Sequence, residues 1–287
     1  MIKSLCTDMT LNELIKAALR EDIGSGDHSS LASIPENAKG RMKLLVKENG
    51  IIAGIEAAKE VLRQVDPSIS MKCFKKDGDE ITVGEIVFEL EGPARSMLTA
   101  ERTLLNFMQR MSGIATVSKQ YADAVKSTKT KILDTRKTTP NLRALEKYAV
   151  KIGGSENHRF GLYDMIMLKD NHIDFAGGIE KAIDDTHEYL KKNGLNLKIE
   201  IETRTLDEVK RVVKHGKIDR IMLDNFAPEK IKEALQLIAG KYETEASGGI
   251  TLENIKEYAK TGVDYISIGA LTHHIKSLDL SLKFIAL

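Results

Sequence analysis

Between Asp134 and His172 the chain reads DTRKTTPNLRALEKYAVKIGGSENHRFGLYDMIMLKDNH, and the grammar of this stretch decides the fold. An apolar run ending in KILD (Lys131 to Asp134) and a second one, MIMLK (Met165 to Lys169), have strand character. Between them Leu142 to Val150 has helical spacing and stops at Gly153-Gly154. Cations gather where the strands end: Arg136 and Lys137 after the first, His158 and Arg159 before the second, Lys169 at its close, with Asp164 and Asp170 nearby. A strand, helix, strand unit with basic groups at its strand ends is how an α/β barrel builds a pocket for an anion. The competing reading is a solvated face of scattered charge, common in so charged a chain. The placement of the cations at strand ends favours the pocket.

The same grammar continues toward the C-terminus at a pitch of roughly 20 to 30 residues, as βα units require. Strands are expected at KIEIE (Lys198 to Glu202), RIMLD (Arg220 to Asp224), TEAS (Thr244 to Ser247) and YISIG (Tyr265 to Gly269), with helices at 179–190, 206–213, 229–238 and 252–259. Thr205 and Glu208 have the spacing of a capping box. Repeated βα units demand a parallel sheet with right-handed crossovers, hence a barrel or a doubly wound sheet. No GxGxxG follows the first strand, which removes the dinucleotide fingerprint. Each strand ends instead in a chemically useful residue: Asp134, Lys169, Glu202, Asp224, Ser247 and Gly269. That distribution is the barrel plan, here with six strands rather than eight.

Upstream the pattern is α+β. Thr10 and Glu13 form a capping box before a helix whose apolar stripe is Leu11, Leu14, Ile15, Ala18 and Leu19. It ends at Gly24-Ser25-Gly26-Asp27, a sharp turn that is either plain or an anion-binding nest of amides. Strands at 41–48 and 51–53 bracket a turn at Asn49-Gly50; a helix at 56–64 and strands at 71–74 and 86–90 follow, all antiparallel because their turns are short. Two helical runs, 96–111 and 114–126, are expected to hinge at Ser112-Gly113. Arg102 and Arg110 lie on the first, as surface cations or as ligands.

With 287 residues the chain has material for one large domain or two smaller ones. The net charge of +1 gives no global steering toward nucleic acid, and no apolar run approaches the ~20 residues of a membrane span. The N-terminus lacks the apolar segment of a secretory signal. Cys6 and Cys73 have no metal-ligand spacing and read as packing residues in a reducing, cytoplasmic compartment. The absence of Trp argues against an aromatic platform for single-stranded nucleic acid.

As one mouth, the strand ends give a basic half (Arg136, Lys137, His158, Arg159, Lys169), an acidic half (Glu202, Asp224) and two small-residue loops (Ser247-Gly248-Gly249 and Gly269-Ala270). Glycine lets amides approach a phosphate, and late barrel strands are a frequent phosphate site. The carboxylates suit Mg²⁺ or sugar hydroxyls. Zinc is disfavoured, because His158 and His172 lack an HxH or Cys partner. A Schiff-base role for Lys169, its pKa depressed by neighbouring cations, is the alternative chemistry.

The motifs DTRKTTP, GGSENHRFGLYDMIMLKDNH, IEIET, IMLDNF, EASGGIT and ISIGALTH, with EDIGSGD and ERTLLNFMQRMSGIAT upstream, closely resemble the quinolinate phosphoribosyltransferase family over essentially the whole chain. The resemblance implies an N-terminal α/β sandwich domain (1–112 with 271–287) and an open, incomplete α/β barrel (113–270) of the type II phosphoribosyltransferase kind. It implies a homodimer, or a larger assembly built on it, with Arg102 contributed in trans. The implied reaction joins quinolinate to phosphoribosyl pyrophosphate with Mg²⁺ and no organic cofactor, giving nicotinate mononucleotide, pyrophosphate and CO₂. By the same resemblance Arg102, Thr135, Arg136, His158, Arg159 and Lys169 surround quinolinate. Lys137, Glu202, Asp224, Ser247, Gly248, Gly249, Gly269 and Ala270 face the donor, with Lys137, Lys169, Glu202 and Asp224 in catalytic roles and Glu202 and Asp224 near the metal. Alternatives sharing the architecture are a nicotinate phosphoribosyltransferase, a branch associated with molybdenum transport and a non-enzymatic phosphate-ligand sensor.

Overall fold

The computed structural model describes residues 10–286. In chain order these form α1 (Leu11–Ile23), α2 (His28–Ser33), β1 (Lys39–Val46), β2 (Gly50–Ile51), α3 (Ile55–Val65), β3 (Ser70–Cys73), β4 (Glu80–Ile81), β5 (Ile86–Pro93) and the long α4 (Ala94–Val125). Then β6 (Lys131–Leu133), α5 (Arg143–Ile152), β7 (Ile166–Leu168), α6 (Asp170–Ala176), α7 (Ile179–Asn193), β8 (Ile199–Thr203) and α8 (Leu206–His215) follow. The chain closes with β9 (Arg220–Asp224), α9 (Pro228–Ile238), β10 (Glu243–Ser247), α10 (Ile255–Ala259), β11 (Tyr265–Ser267), α11 (Ala270–His273) and β12 (Leu280–Phe284). Among the described residues no helix is long and apolar enough to cross a membrane.

Two compact units result. The first takes the described residues up to Lys119, Thr138–Gly154 and the chain from Leu271 onward; the second is Gln120–Lys137 with Ser155–Ala270. Residues 113–119 and 138–154 thus cluster with the first unit.

The first unit is built on an antiparallel sheet in the order β12-β1-β5-β3. Strand β1 alternates, burying Met42, Leu44 and Val46, and β5 buries Val87, Phe88 and Leu90. Helix α1 opens with the expected capping box, the Glu13 amide donating to Thr10 Oγ1 at 3.2 Å and the Thr10 amide to Glu13 Oε2 at 2.8 Å. The C-terminal β12 pairs with β1 from Met42↔Phe284 to Val46↔Leu280, so the tail completes the sheet where the chain began it.

Three local expectations are corrected here. The segment after Asn49 is not a hairpin partner of β1: Gly50–Ile51 pairs with Glu80–Ile81 instead, and Ile52 and Ala53 lead directly into α3. No hinge separates the helical runs, for α4 is continuous through Ser112-Gly113. A Cβ at Gly113 would collide with the Lys276 carbonyl oxygen, so this glycine serves close approach rather than bending. Ser112 spends its hydroxyl on the Ala53 amide (3.0 Å) and carbonyl (3.2 Å). Cys73 is an exposed residue of the edge strand β3 rather than a packing residue, and Cys6 lies outside the described residues.

The second unit carries the parallel sheet, in the order β6-β11-β10-β9-β8-β7. Its six strands form an open barrel, because β6 and β7 at the two ends do not pair with each other. Residues 155–165 run from one edge to the other. Glu156 bridges to Leu133 on β6, and the Met165 carbonyl, just before β7, accepts from Arg159. Helix α8 buries Val209 and Val212, and α9 buries Ile231, Ala234 and Ile238. At α8 only half of the capping box forms: Thr205 Oγ1 accepts from the Glu208 amide, while the Glu208 carboxylate takes the Arg204 amide and guanidinium.

Candidate active site

Strand order fixes the chemistry around the rim of the parallel sheet. From β7 across to β11 the C-terminal ends present Lys169, Glu202, Asp224, Ser247 and Gly269 in spatial succession, with Asp224 and Ser247 paired in register. Lys169 Nζ lies 3.4 Å from Glu202 Oε2. Burial pushes the Glu202 carboxyl above its ordinary range, opposed by Lys169 and reinforced by the negative charge of Asp224. A carboxylate pair under mutual repulsion favours a cation or a developing positive charge beside it. The hard oxygen donors suit magnesium, although no third His, Cys, Asp or Glu ligand joins Glu202 and Asp224 among the described residues.

The glycine loops follow the carboxylates. Gly248 has φ +93°, and a Cβ on it would collide with Asn225 Oδ1. Asn225, itself at φ +57°, donates from its amide nitrogen Nδ2 to Asp224 Oδ2 at 2.7 Å and from its main chain to the Ser247 carbonyl at 2.8 Å. The turn after β10 is therefore interlocked with the end of β9. Gly249, at φ +63°, has open space where a side chain would stand.

The basic limb lies on residues 155–165 and on the loop after β6. Asp134, fully buried, accepts from the His158 amide at 2.8 Å and from Asn157 Nδ2 at 2.6 Å. Asp164 accepts from the amides of Phe160 (2.6 Å) and Gly161 (2.8 Å), and Arg159 Nη1 donates to the Met165 carbonyl at 3.1 Å. These bonds hold Arg159 in place. Burial and then the charge of Arg136 depress the Arg159 guanidinium pKa, which places the two arginines close enough to interact. On the other loop the Lys137 amide donates to Thr135 Oγ1 at 3.0 Å. The Lys169 amide donates to His172 Nδ1 at 3.0 Å, so His172 caps the start of α6.

His158 lies deeper than its basic neighbours. It is buried, with Nε2 3.1 Å from Glu200 Oε2 and 3.3 Å from Glu245 Oε2. Reading the sequence for rim chemistry misses these two carboxylates, which lie one layer below. The signal was strand periodicity: Glu200 shares a face with Glu202, and Glu245 shares one with Ser247.

In the first unit Arg102 is exposed on α4, lining a cavity with Asp22, Gly26, Asp27, His28 and Thr99, so the GSGD turn and Arg102 share one surface. Arg110 is half-buried and held by its own unit. Its guanidinium pairs with buried Glu146 at 2.6 Å and donates to Thr139 Oγ1 (2.7 Å) and the Thr272 carbonyl (3.2 Å). A cavity of about 780 Å³ opens at the opposite, N-terminal end of the parallel sheet. There Asp219 accepts from the Ile199 amide and Asp264 from the Thr244 amide and hydroxyl, so its carboxylates pin neighbouring strands.

Comparison with known proteins places this geometry in context. Residues 27–112 match the quinolinate phosphoribosyl transferase N-terminal domain, and residues 114–283 the C-terminal domain. The chain is 46% identical over 288 residues to quinolinate phosphoribosyltransferase [decarboxylating] 2b, mitochondrial, of Nicotiana tabacum, covering 95% of this chain and 82% of that one. It is 43% identical over 274 residues to the probable nicotinate-nucleotide pyrophosphorylase [carboxylating] of Bacillus subtilis, covering 96% and 93%. The crystal structure of NadC from Streptococcus pyogenes superposes with a TM-score of 0.91 at 41% identity, covering 98% of this chain and all of that one.

Proposed function

We infer the reaction from one premise: the chain belongs to the quinolinate phosphoribosyltransferase family. The protein is a phosphoribosyltransferase of nicotinate-nucleotide synthesis that acts on quinolinate with decarboxylation. The observation that carries its site assignment is the order of charge along one rim: cations, then paired carboxylates, then glycine loops.

Each portion of that rim has a task. Quinolinate is a dianion, and the planar forks of Arg136 and Arg159, with Lys169, match its carboxylates, while His158, expected among these ligands, lies below the rim with both ring nitrogens engaged and supports Arg159; Thr135 lies on the same loop as Arg136. Lys137 and the loops Ser247 to Gly249 and Gly269-Ala270 take the phosphates of the donor. As pyrophosphate leaves, the C1′–O bond breaks, the pair departs with oxygen, and positive charge builds on the ribose. Glu202 and Asp224 stabilise that charge. The pyridine nitrogen forms the new C1′–N bond and becomes a pyridinium. When the C2–carboxylate bond then breaks, the pair stays on C2, where the adjacent positive nitrogen stabilises it as an ylide; CO₂ leaves, and C2 takes up one proton. No organic cofactor enters this sequence. Magnesium, held with Glu202, Asp224 and the donor's oxygens, would supply charge neutralisation on the pyrophosphate.

The active assembly is proposed to be a homodimer in which each site receives Arg102 from the partner subunit. The exposure of Arg102 on α4 agrees with delivery to another chain. The direct experiment incubates the protein with phosphoribosyl pyrophosphate, Mg²⁺ and either quinolinate or nicotinate, and follows CO₂ and nucleotide. Release of CO₂ with quinolinate supports the reading; turnover of nicotinate alone would replace it with the non-decarboxylating reaction.

A further inference from the structure

Beneath the rim lies a charged cluster that the reaction above does not use. Glu200 on β8 and Glu245 on β10 have no exposed surface. Arg220 on β9 stands between them, Nη1 3.1 Å from Glu245 Oε2 and 3.8 Å from Glu200 Oε2. Its guanidinium stacks on the Tyr265 ring at 4.1 Å, and Ser267 on β11 hydrogen-bonds Glu245. His158 closes the cluster from the 155–165 segment. This layer of a barrel is ordinarily filled by branched aliphatics, and a buried ion cluster is seldom more stabilising than apolar residues of equal volume. Stability alone is a weak reason for its presence.

Arg220 also pairs with Glu243, Nη2 to Oε2 at 3.1 Å, so its charge is shared with a carboxylate outside the buried pair. Burial lowers the His158 pKa, but the carboxylates of Glu200 and Glu245 beside Nε2 outweigh this and draw it up to about 9. That would favour the imidazolium. An imidazolium, however, has no lone pair for the Arg159 amide, which donates to His158 Nδ1 at 2.6 Å. The ring therefore accepts at Nδ1 and carries its proton on Nε2, which faces Glu200 and Glu245. Burial and the charge of Glu245 push the Glu200 carboxyl up to about 7. Glu245 remains the anion, lowered by His158, Ser267 and Arg220 against its own burial.

We propose that Glu245, Arg220 and Glu200 are positioning residues of the quinolinate site, fixing the ring of His158 and, through its bond to the Arg159 amide, the direction in which Arg159 leaves the barrel interior. The inference rests on the reading of Arg159 as a quinolinate ligand. A metal at His158, Glu200 and Glu245, whose ligand atoms lie within 4.8 Å of one another, is the competing account. The guanidinium already occupies the electrostatic role of that cation.

Two kinds of measurement decide. In steady-state kinetics Glu245→Gln should raise KM for quinolinate about 10-fold or more, the cost of leaving a buried polar group without its charged neighbour, and leave KM for the donor within about twofold. In ¹⁵N NMR of histidine-labelled protein, His158 should show an unprotonated Nδ1 and a protonated Nε2, a readout independent of turnover and available if Glu245→Gln does not fold. Equal changes in both KM values, a doubly protonated His158 at neutral pH, or a stoichiometric divalent ion lost on Glu245→Gln would each overturn the proposal. Failure of the wild-type protein to turn over quinolinate would strike the functional reading instead, while the tautomer still decides the cluster.

Discussion

Replacing Arg159 by Lys keeps the formal charge and removes the fork, so it isolates geometry from electrostatics. Arg159 already gives Nη1 to the Met165 carbonyl at 3.1 Å, and its remaining N–H groups are available to a carboxylate. A single ammonium cannot keep that anchor and also present two parallel donors. Losing one charge-assisted hydrogen bond costs about 1.5–3 kcal/mol, or roughly 10- to 150-fold in kcat/KM for quinolinate. A second effect has a definite sign with pH. Burial and Arg136 disfavour the charged form at this position. A lysine, starting from an ordinary pKa of about 10.4, therefore loses its proton at lower pH than the arginine does. The charged form is present at low pH and lost as pH rises through the depressed value, so the penalty should grow from neutral to mildly alkaline conditions. Initial-rate kinetics with each substrate varied in turn, at several pH values, measures both effects. A Lys variant that raises both KM values equally, or whose penalty shrinks as pH rises, would refute the assignment of Arg159 to a quinolinate carboxylate.

Asp224→Asn should lower kcat with a smaller change in quinolinate affinity, because ribose charge develops only in the transition state; rapid-quench and equilibrium binding separate the two. Gly248→Ala must adopt φ +93° and displace Asn225, which holds Asp224, so kcat/KM for the donor should fall about 10-fold or more in initial-rate assays. Arg102→Ala and Lys137→Ala should each be inactive alone, yet co-refolded mixtures should recover about a quarter of the sites if Arg102 acts across a two-fold dimer. Glu146→Ala leaves Arg110 without its buried anion and should cost about 2–3 kcal/mol, the usual loss for a broken buried pair discounted because Arg110 is partly exposed, seen as a lower urea midpoint.

The parallel sheet and its rim were legible because both follow from short-range pattern. Each βα unit announces its strand by an apolar run, and Lys169, Glu202, Asp224 and Ser247 end those runs. Where local signals compete, the sequence is a poorer guide. Ser112-Gly113 has the composition of a hinge, but its geometry answers to the Lys276 carbonyl 163 positions later, a contact that no local window contains. Gly50–Ile51 sits after a hairpin-like Asn-Gly but takes a distant partner at Glu80–Ile81. Arg110 and Arg102 are alike on the helical run, and only the fold separates a cation paired with buried Glu146 from one left exposed.

Charge inside the barrel was the least expected feature, and the open sheet makes it intelligible. A closed barrel is self-contained and can be filled by the side chains of its own strands. Here β6 and β7 stay apart, and the 155–165 segment crosses between them with His158 turned inward and Arg159 anchored at the β7 end. A segment without a strand's ladder of hydrogen bonds must be held by side chains. Asp134 and Asp164 take its amides, while Glu200 and Glu245 take its imidazole. Two pairs of carboxylates thus share the task, one holding the backbone and the other facing Nε2 of His158. Closing the sheet with two more strands would remove the need for them, and with it the structural basis for a basic limb at this edge.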